Sequence, residues 1–214
     1  MELKLNIPNS LNEITLGQYQ EFEKLDLTNE SKVHLKMIEI FCNVPEIVAR
    51  NIKATDVAEI CGIINNMFET KHQLINSFKL EGQEYSFIPS LQDMSFGEYI
   101  DLDTFIGDTE NLHRAMNVLY RPIELKQGKR YTLKEYDPES NEIAKDFPLD
   151  AVLGAIVFFY SLGKDLSLTM MNSLDKANQE TLAQHLISHP NTDGTTASLQ
   201  SLTGILQSLN ISLN

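Results

Sequence analysis

The chain has 214 residues, 42% of them hydrophobic, and its 30 acids against 17 Lys and Arg give a formal charge of -13. Such a length and composition fit a globular protein with an ordinary core. The charge disfavours nucleic acid as the main ligand, because phosphate affinity comes from Lys and Arg displacing counterions.

Met1-Glu2-Leu3-Lys4 interleaves polar and apolar residues, and the apolar-rich run 151–162 is too short to cross a bilayer. The expectation is cytoplasmic synthesis without a membrane segment. Leu3, Leu5 and Ile7 alternate with polar residues, the period-two pattern of a half-buried strand over 2–7. Apolar residues at helical spacing then predict helices at 16–25, 30–41, 45–51 and 56–70, the last capped by Thr55-Asp56. Cys42 and Cys61 lie among Phe41, Val44, Ile60 and Ile63, which points to two buried free thiols. Residues 78–80 and 85–88 read as a hairpin turning over 81–84. Helices follow at 96–106 and 109–120, then an extended pair at 123–125 and 130–133 turning at Gln127-Gly128, then helices at 148–162 and 164–187. The fold class is mainly α with a small antiparallel β-sheet, α+β.

Two stretches repeat each other. Ile7-Pro8-Asn9-Ser10-Leu11-Asn12-Glu13-Ile14-Thr15-Leu16-Gly17-Gln18-Tyr19 and Ile88-Pro89-Ser90-Leu91-Gln92-Asp93-Met94-Ser95-Phe96-Gly97-Glu98-Tyr99 match with one residue of slack after the proline. Thr15 and Ser95 are placed to N-cap a helix while Gln18 and Glu98 reach back to the cap's own N–H, a capping box. Each proline biases the preceding isoleucine away from helix, so each unit reads as strand, turn and capped helix. The chain accordingly divides into a first unit at 1–87, a second at 88–147, C-terminal helices at 148–187, and a polar loop with an amphipathic tail at 188–214.

From Ala177 onward there is no Lys or Arg. Residues 188–196 are rich in turn formers, and Leu199, Leu202, Ile205, Leu206 and Leu209 then mark one stripe of a helix over 198–209. Such a stripe must be buried, either on the chain's own helices or in a partner's groove.

Residues 91–112 hold six acids, Asp93, Glu98, Asp101, Asp103, Asp108 and Glu110, and no Lys or Arg. Asp101, Asp103, Asp108 and Glu110 form a candidate docking surface for a basic partner. Asp101-Leu102-Asp103 has the look of a metal motif, but residues two apart on a helix do not converge on an ion. His185 and His189 stand four apart with no third ligand beside them, and His34, His72 and His113 are scattered. No nucleophile elbow, phosphate loop or dinucleotide fingerprint occurs. No catalytic residue, metal or cofactor is therefore expected. Lys126, Lys129, Arg130 and Lys134, with Tyr131, form the one basic cluster and read as a charged strand edge.

Residues 88–103, followed by Met116-Asn117-Val118-Leu119-Tyr120-Arg121-Pro122-Ile123, then Phe147-Pro148-Leu149-Asp150 and Val157-Phe158-Phe159-Tyr160, resemble a group of tailed-bacteriophage proteins often labelled tail assembly chaperones. The likeness covers roughly residues 1–175 and carries no catalytic residue. It implies a protein-binding product of particle assembly, present in the host cytoplasm during assembly or in the virion. Its partners would be other phage structural or tail proteins, with several copies or a homo-oligomer in a particle. A permanent virion structural protein, whether capsid-internal, neck or tail component, and a small acidic host-interaction protein are the alternatives.

Overall fold

The computed structural model describes residues 5–25, 28–128 and 130–173. Its architecture is mainly helical, with one four-stranded antiparallel sheet. Leu5 and Ile7 pack on the core, yet residues 5–8 form no strand, and the first three residues of the expected strand lie outside the described ones. Alternation reports one-sided burial, which an extended segment satisfies without a ladder partner.

The first half is a helical layer: α1 (Leu16–Glu23), α2 (Glu30–Phe41), the short α3 (Glu46–Ala49) and α4 (Ala54–Phe68). Tyr19, Phe22, Phe41 and Phe68 knit α1, α2 and α4 through ring contacts at 5.1–6.5 Å. The expected Thr55-Asp56 cap is not formed. Lys53 occupies the N-cap without a side-chain bond, and the Thr55 hydroxyl donates to Asp56 instead. Asp56 still sits in the first turn, where the helix dipole favours a carboxylate.

The sheet has the order β1 (Ser77–Leu80), β2 (Gln83–Phe87), β3 (Tyr120–Gln127), β4 (Arg130–Leu133). The first hairpin turns on Glu81 and Gly82, with φ of +49° and +84°, a two-residue loop whose left-handed backbone matches strand twist. Between the two hairpins lie α5 (Phe96–Phe105) and α6 (Leu112–Leu119). β3 starts directly from α6, earlier than its sequence pattern indicates, because Tyr120, Arg121 and Pro122 pair with Phe87, Ser86 and Tyr85 of β2. A 3-10 segment (Pro138–Asp146) leads to α7 (Leu149–Ser173). α7 is continuous where two helices are expected: the Gly163 region does not break it, as an isolated glycine in a helix costs only about 1 kcal/mol. The rest of the expected 164–187 helix lies outside the described residues.

The units marked off in the sequence share one core running from Leu11 to Ile156. Its centre is Tyr120, fully buried among Phe78, Phe87 and Phe147, with its hydroxyl donating to the carbonyls of Ile75 (2.7 Å) and Ala151 (3.3 Å). That hydroxyl joins β3 to the segment before β1 and to the first turns of α7. At Gly154 the same segment crosses α7 in direct contact: a Cβ there would lie 2.2 Å from the Gln73 carbonyl oxygen and 2.9 Å from its carbon. Backbone cannot give way as a flexible side chain does. Gly154→Ala is therefore expected to destabilise the fold by about 1–3 kcal/mol, the range for overpacking, despite alanine's better helix propensity. A urea titration checks this; an unchanged or raised midpoint would contradict it.

Candidate functional site

The two repeated segments fold alike around their caps. A 3-10 turn precedes each cap, Leu11–Glu13 in one and Leu91–Asp93 in the other. Thr15 and Ser95 then accept from the N–H of Gln18 and Glu98, whose side chains accept from the N–H of Thr15 (2.9 Å) and Ser95 (2.6 Å). Both capping boxes are complete.

The free end of each box differs in a way that explains its residue. The Gln18 amide donates to the Ile40 carbonyl at 2.6 Å, near the end of α2, where a carboxylate would repel. Glu98 holds Arg121 of β3 at 2.8 Å in a largely buried ion pair, where an amide would lack the charge. A buried pair breaks expensively because the surviving charge is stranded.

The outer faces of the two helices differ far more. On α1, Leu16, Tyr19 and Gln20 are buried. Gln20 donates to the carbonyls of Thr109 (2.7 Å) and Glu110 (3.0 Å), and it meets His113 Nδ1 at 3.2 Å. Residues 147–149 run antiparallel across residues 14–16: Leu16 N–H donates to the Phe147 carbonyl and Leu149 N–H to the Ile14 carbonyl, both at 2.9 Å. Gly17 lies beneath this strap, 3.2 Å from the Lys145 carbonyl oxygen to an added Cβ. On α5 the matching positions are Phe96, Tyr99 and Ile100, and they are 78%, 46% and 46% exposed. A Cβ at Gly97 would meet nothing within 4 Å. α5 packs inward on α6, and its Leu102 and the following Ile106 are buried. Its outward side is apolar and uncovered among the described residues.

Of the acids expected to dock a partner, Asp101, Asp103 and Asp108 are engaged within the fold. Asp101 accepts from the Tyr136 hydroxyl at 2.8 Å, and burial together with Asp101 holds that phenol well above its usual range. Asp108 caps the 3-10 turn before α6, accepting from Glu110 N–H and the Asn111 amide. Asp103 is half-buried beside the stripe, and Glu110 and Asp93 are exposed. Beside these acids the apolar residues Phe96, Tyr99 and Ile100 stand exposed, which sequence reading did not single out. The signal was present: α5 has apolar residues on two sides, and one helix layer covers only one. Leu199, Leu202, Ile205, Leu206 and Leu209 lie outside the described residues, as do His185, His189 and Lys129.

Elsewhere, Cys42 and Cys61 are buried free thiols; burial pushes Cys42 up to about 11, with Cys61 adding to it, so thiolate chemistry is suppressed. Lys126 pairs with Glu84 across the sheet at 2.6 Å. A cavity of about 380 Å³ lies between residues 9–11, the 70–75 segment and Asp150. Burial drives His72 down and Asp150 up there, each toward its neutral form. Two hydroxyls on its wall are spent locally, Ser10 on Asn12 and Thr70 on the Met67 carbonyl, while His72 Nε2 has no hydrogen-bond partner. No nucleophile and base are joined in this cavity. Comparison with models of protein families, with curated proteins and with solved structures gives no match for this chain.

Two outcomes follow from the site's supports. Ser95→Ala is expected to cost about 1 kcal/mol, the usual loss of a cap, whereas Glu98→Ala, which also strands Arg121, is expected to cost about 3–5 kcal/mol; denaturant midpoints rank them, and equal losses would contradict the ion-pair argument. Burial lowers both His72 and His113, the latter helped by Lys145 and Arg114 and opposed by Glu142, from their ordinary value of 6.5. The unfolded chain then takes up protons first, so their contribution is present above pH 6.5 and lost as pH falls below it. Asp150 and Glu23, raised by burial, act oppositely and lose their contribution as pH rises out of the carboxylate range. Melting temperature is expected to drop between pH 7 and pH 5, and His72→Gln to reduce that drop; a flat profile would contradict it.

Proposed function

We propose that this chain is a non-enzymatic protein-binding component of tailed-phage particle morphogenesis, acting as a tail assembly chaperone that shields apolar surface of a tail protein until assembly. The observation that carries the reading is the bare face of α5. Three large apolar side chains at i, i+3 and i+4 stand in solvent on a doubly tied helix, and exposed contiguous apolar surface on a soluble domain marks a docking site. The likeness of residues 88–103 and 116–123 to phage assembly proteins supplies the setting.

Cells infected by the phage that encodes the chain are the test. The expected outcome is co-purification with a tail protein from the lysate and absence from purified particles by mass spectrometry. Stoichiometric presence in particles would make it a permanent virion component instead. Failure to associate with any phage structural protein would overturn the assembly role altogether.

A further inference from the structure

We propose that the bare face of α5 receives an extended, proline-containing segment of a partner protein flanked by Lys or Arg, laid across residues 94–96 as residues 147–149 are laid across residues 14–16. The first repeat supplies the template. There a chain segment bridges Ile14 and Leu16 by two backbone hydrogen bonds and passes over Gly17, with Pro148 between the bonding residues. The second repeat has the same 3-10 turn, the same complete capping box and the same glycine. At its cap, however, no backbone partner among the described residues pairs with Met94 or with the Phe96 N–H. The two receptor halves are alike and one is filled.

Charge decides the kind of segment. Residues 91–112 contain six acids and no Lys or Arg. Asp93, exposed, opens the approach to the bare cap. The two arginines that reach α5 are engaged, Arg121 by Glu98 and Arg114 over the Phe105 ring at 5.0 Å. A basic segment gains from these carboxylates, whereas the chain's own residues 177–214, which hold no Lys or Arg, do not. The mode is a short β-bridge: backbone bonds give position, and side chains on Phe96, Tyr99 and Ile100 give selectivity.

The proposal rests on reading α5 as a docking surface, not on the phage role. Its probe is a fluorescein-labelled peptide copying residues 142–152 with Glu142→Lys, Asp146→Lys and Asp150→Lys, beside the parent peptide, titrated with the full chain by anisotropy. The lysine peptide is expected to bind at least tenfold more tightly than the parent. Because a chain of charge -13 attracts any polycation, the deciding variant keeps the charge: Phe96→Ser with Ile100→Ser should lose at least tenfold, while circular dichroism shows the fold intact. Equal binding by wild type and this variant would overturn the proposal. So would binding that begins only when 177–214 is deleted, which assigns the face to the tail, or a dimer in sedimentation that the variant dissolves, which assigns it to a second copy. Peptide binding with no phage partner in infected cells would keep this surface and remove the assembly role; a phage partner held equally by the variant would do the reverse.

Discussion

The fold depends on the two backbone hydrogen bonds that tie residues 147–149 to residues 14–16. They bring late chain to early chain at the start of two helices at once, so the entry of α7 is aimed by the cap of α1. From that entry, the first two turns of α7 carry Ala151 to the Tyr120 hydroxyl and Gly154 to the Gln73 carbonyl. Both contacts tolerate little displacement, since a hydrogen bond fades beyond about 3.5 Å and a backbone contact has no rotamer to relieve it. A shift of the strap would therefore be felt in the sheet through Tyr120 and in the 70–75 segment through Gly154. The fully buried Phe147 fixes it from within, its ring edge-on to Phe78 and Tyr85 at 5.0 and 5.1 Å.

The duplicated capping boxes show how one local device is fitted to two surroundings. A capping box spends one side-chain atom on its own helix and leaves another free. Gln18 turns its amide to a helix-end carbonyl, and Glu98 turns its second oxygen to an arginine of the sheet. The choice between amide and carboxylate follows from what stands opposite, a lone acceptor or a cationic donor. It also sets how firmly each helix is held. α1 is fixed mainly by burial of its outer face, whereas α5 relies on the Glu98–Arg121 pair and the Tyr136–Asp101 bond.

What the residues reveal unaided follows the range of the interaction. The capping boxes at Thr15 and Ser95 and the limits of α2 come from neighbours within a few positions and appear in the structure as the pattern indicates, while the expected hairpin forms with a tighter turn, its second strand starting at Gln83 inside the expected 81–84 loop. The early start of β3 is not local: Tyr120 and Pro122 become strand only because β2 lies alongside. Of the strand expected over 2–7, the described residues 5–7 form none for the same reason in reverse, since their apolar side is met without a ladder. Continuity of α7 through Gly163 is a property of the whole helix and no single residue announces it. The candidate surface was half legible. The acidic stretch was visible, but Asp101 and Asp108 are drawn into local bonds whose partners, Tyr136 and Asn111, could not be paired with them by spacing alone. That Phe96 is exposed while its counterpart Leu16 is buried depends on which repeat receives the strap.

Two segments with the same capping box present two like faces, and a single closing segment can cover one. In this chain the closing segment carries Phe147, Pro148 and Leu149, and it closes on the first repeat, where Leu16 and Tyr19 belong to one core with the start of α7. The second repeat has kept the cap and glycine while its outer positions are Phe96, Tyr99 and Ile100, larger in apolar surface than a solvent-facing helix requires. Residues serving only as a helix surface gain nothing from apolar bulk, since exposed positions favour good helix formers with polar ends. Aromatic bulk at 78% exposure is a hazard for self-association, one that the net charge of -13 opposes through repulsion between copies. The same acids that discourage a second copy leave the face open to a segment of opposite charge, so composition and local geometry favour the same occupant.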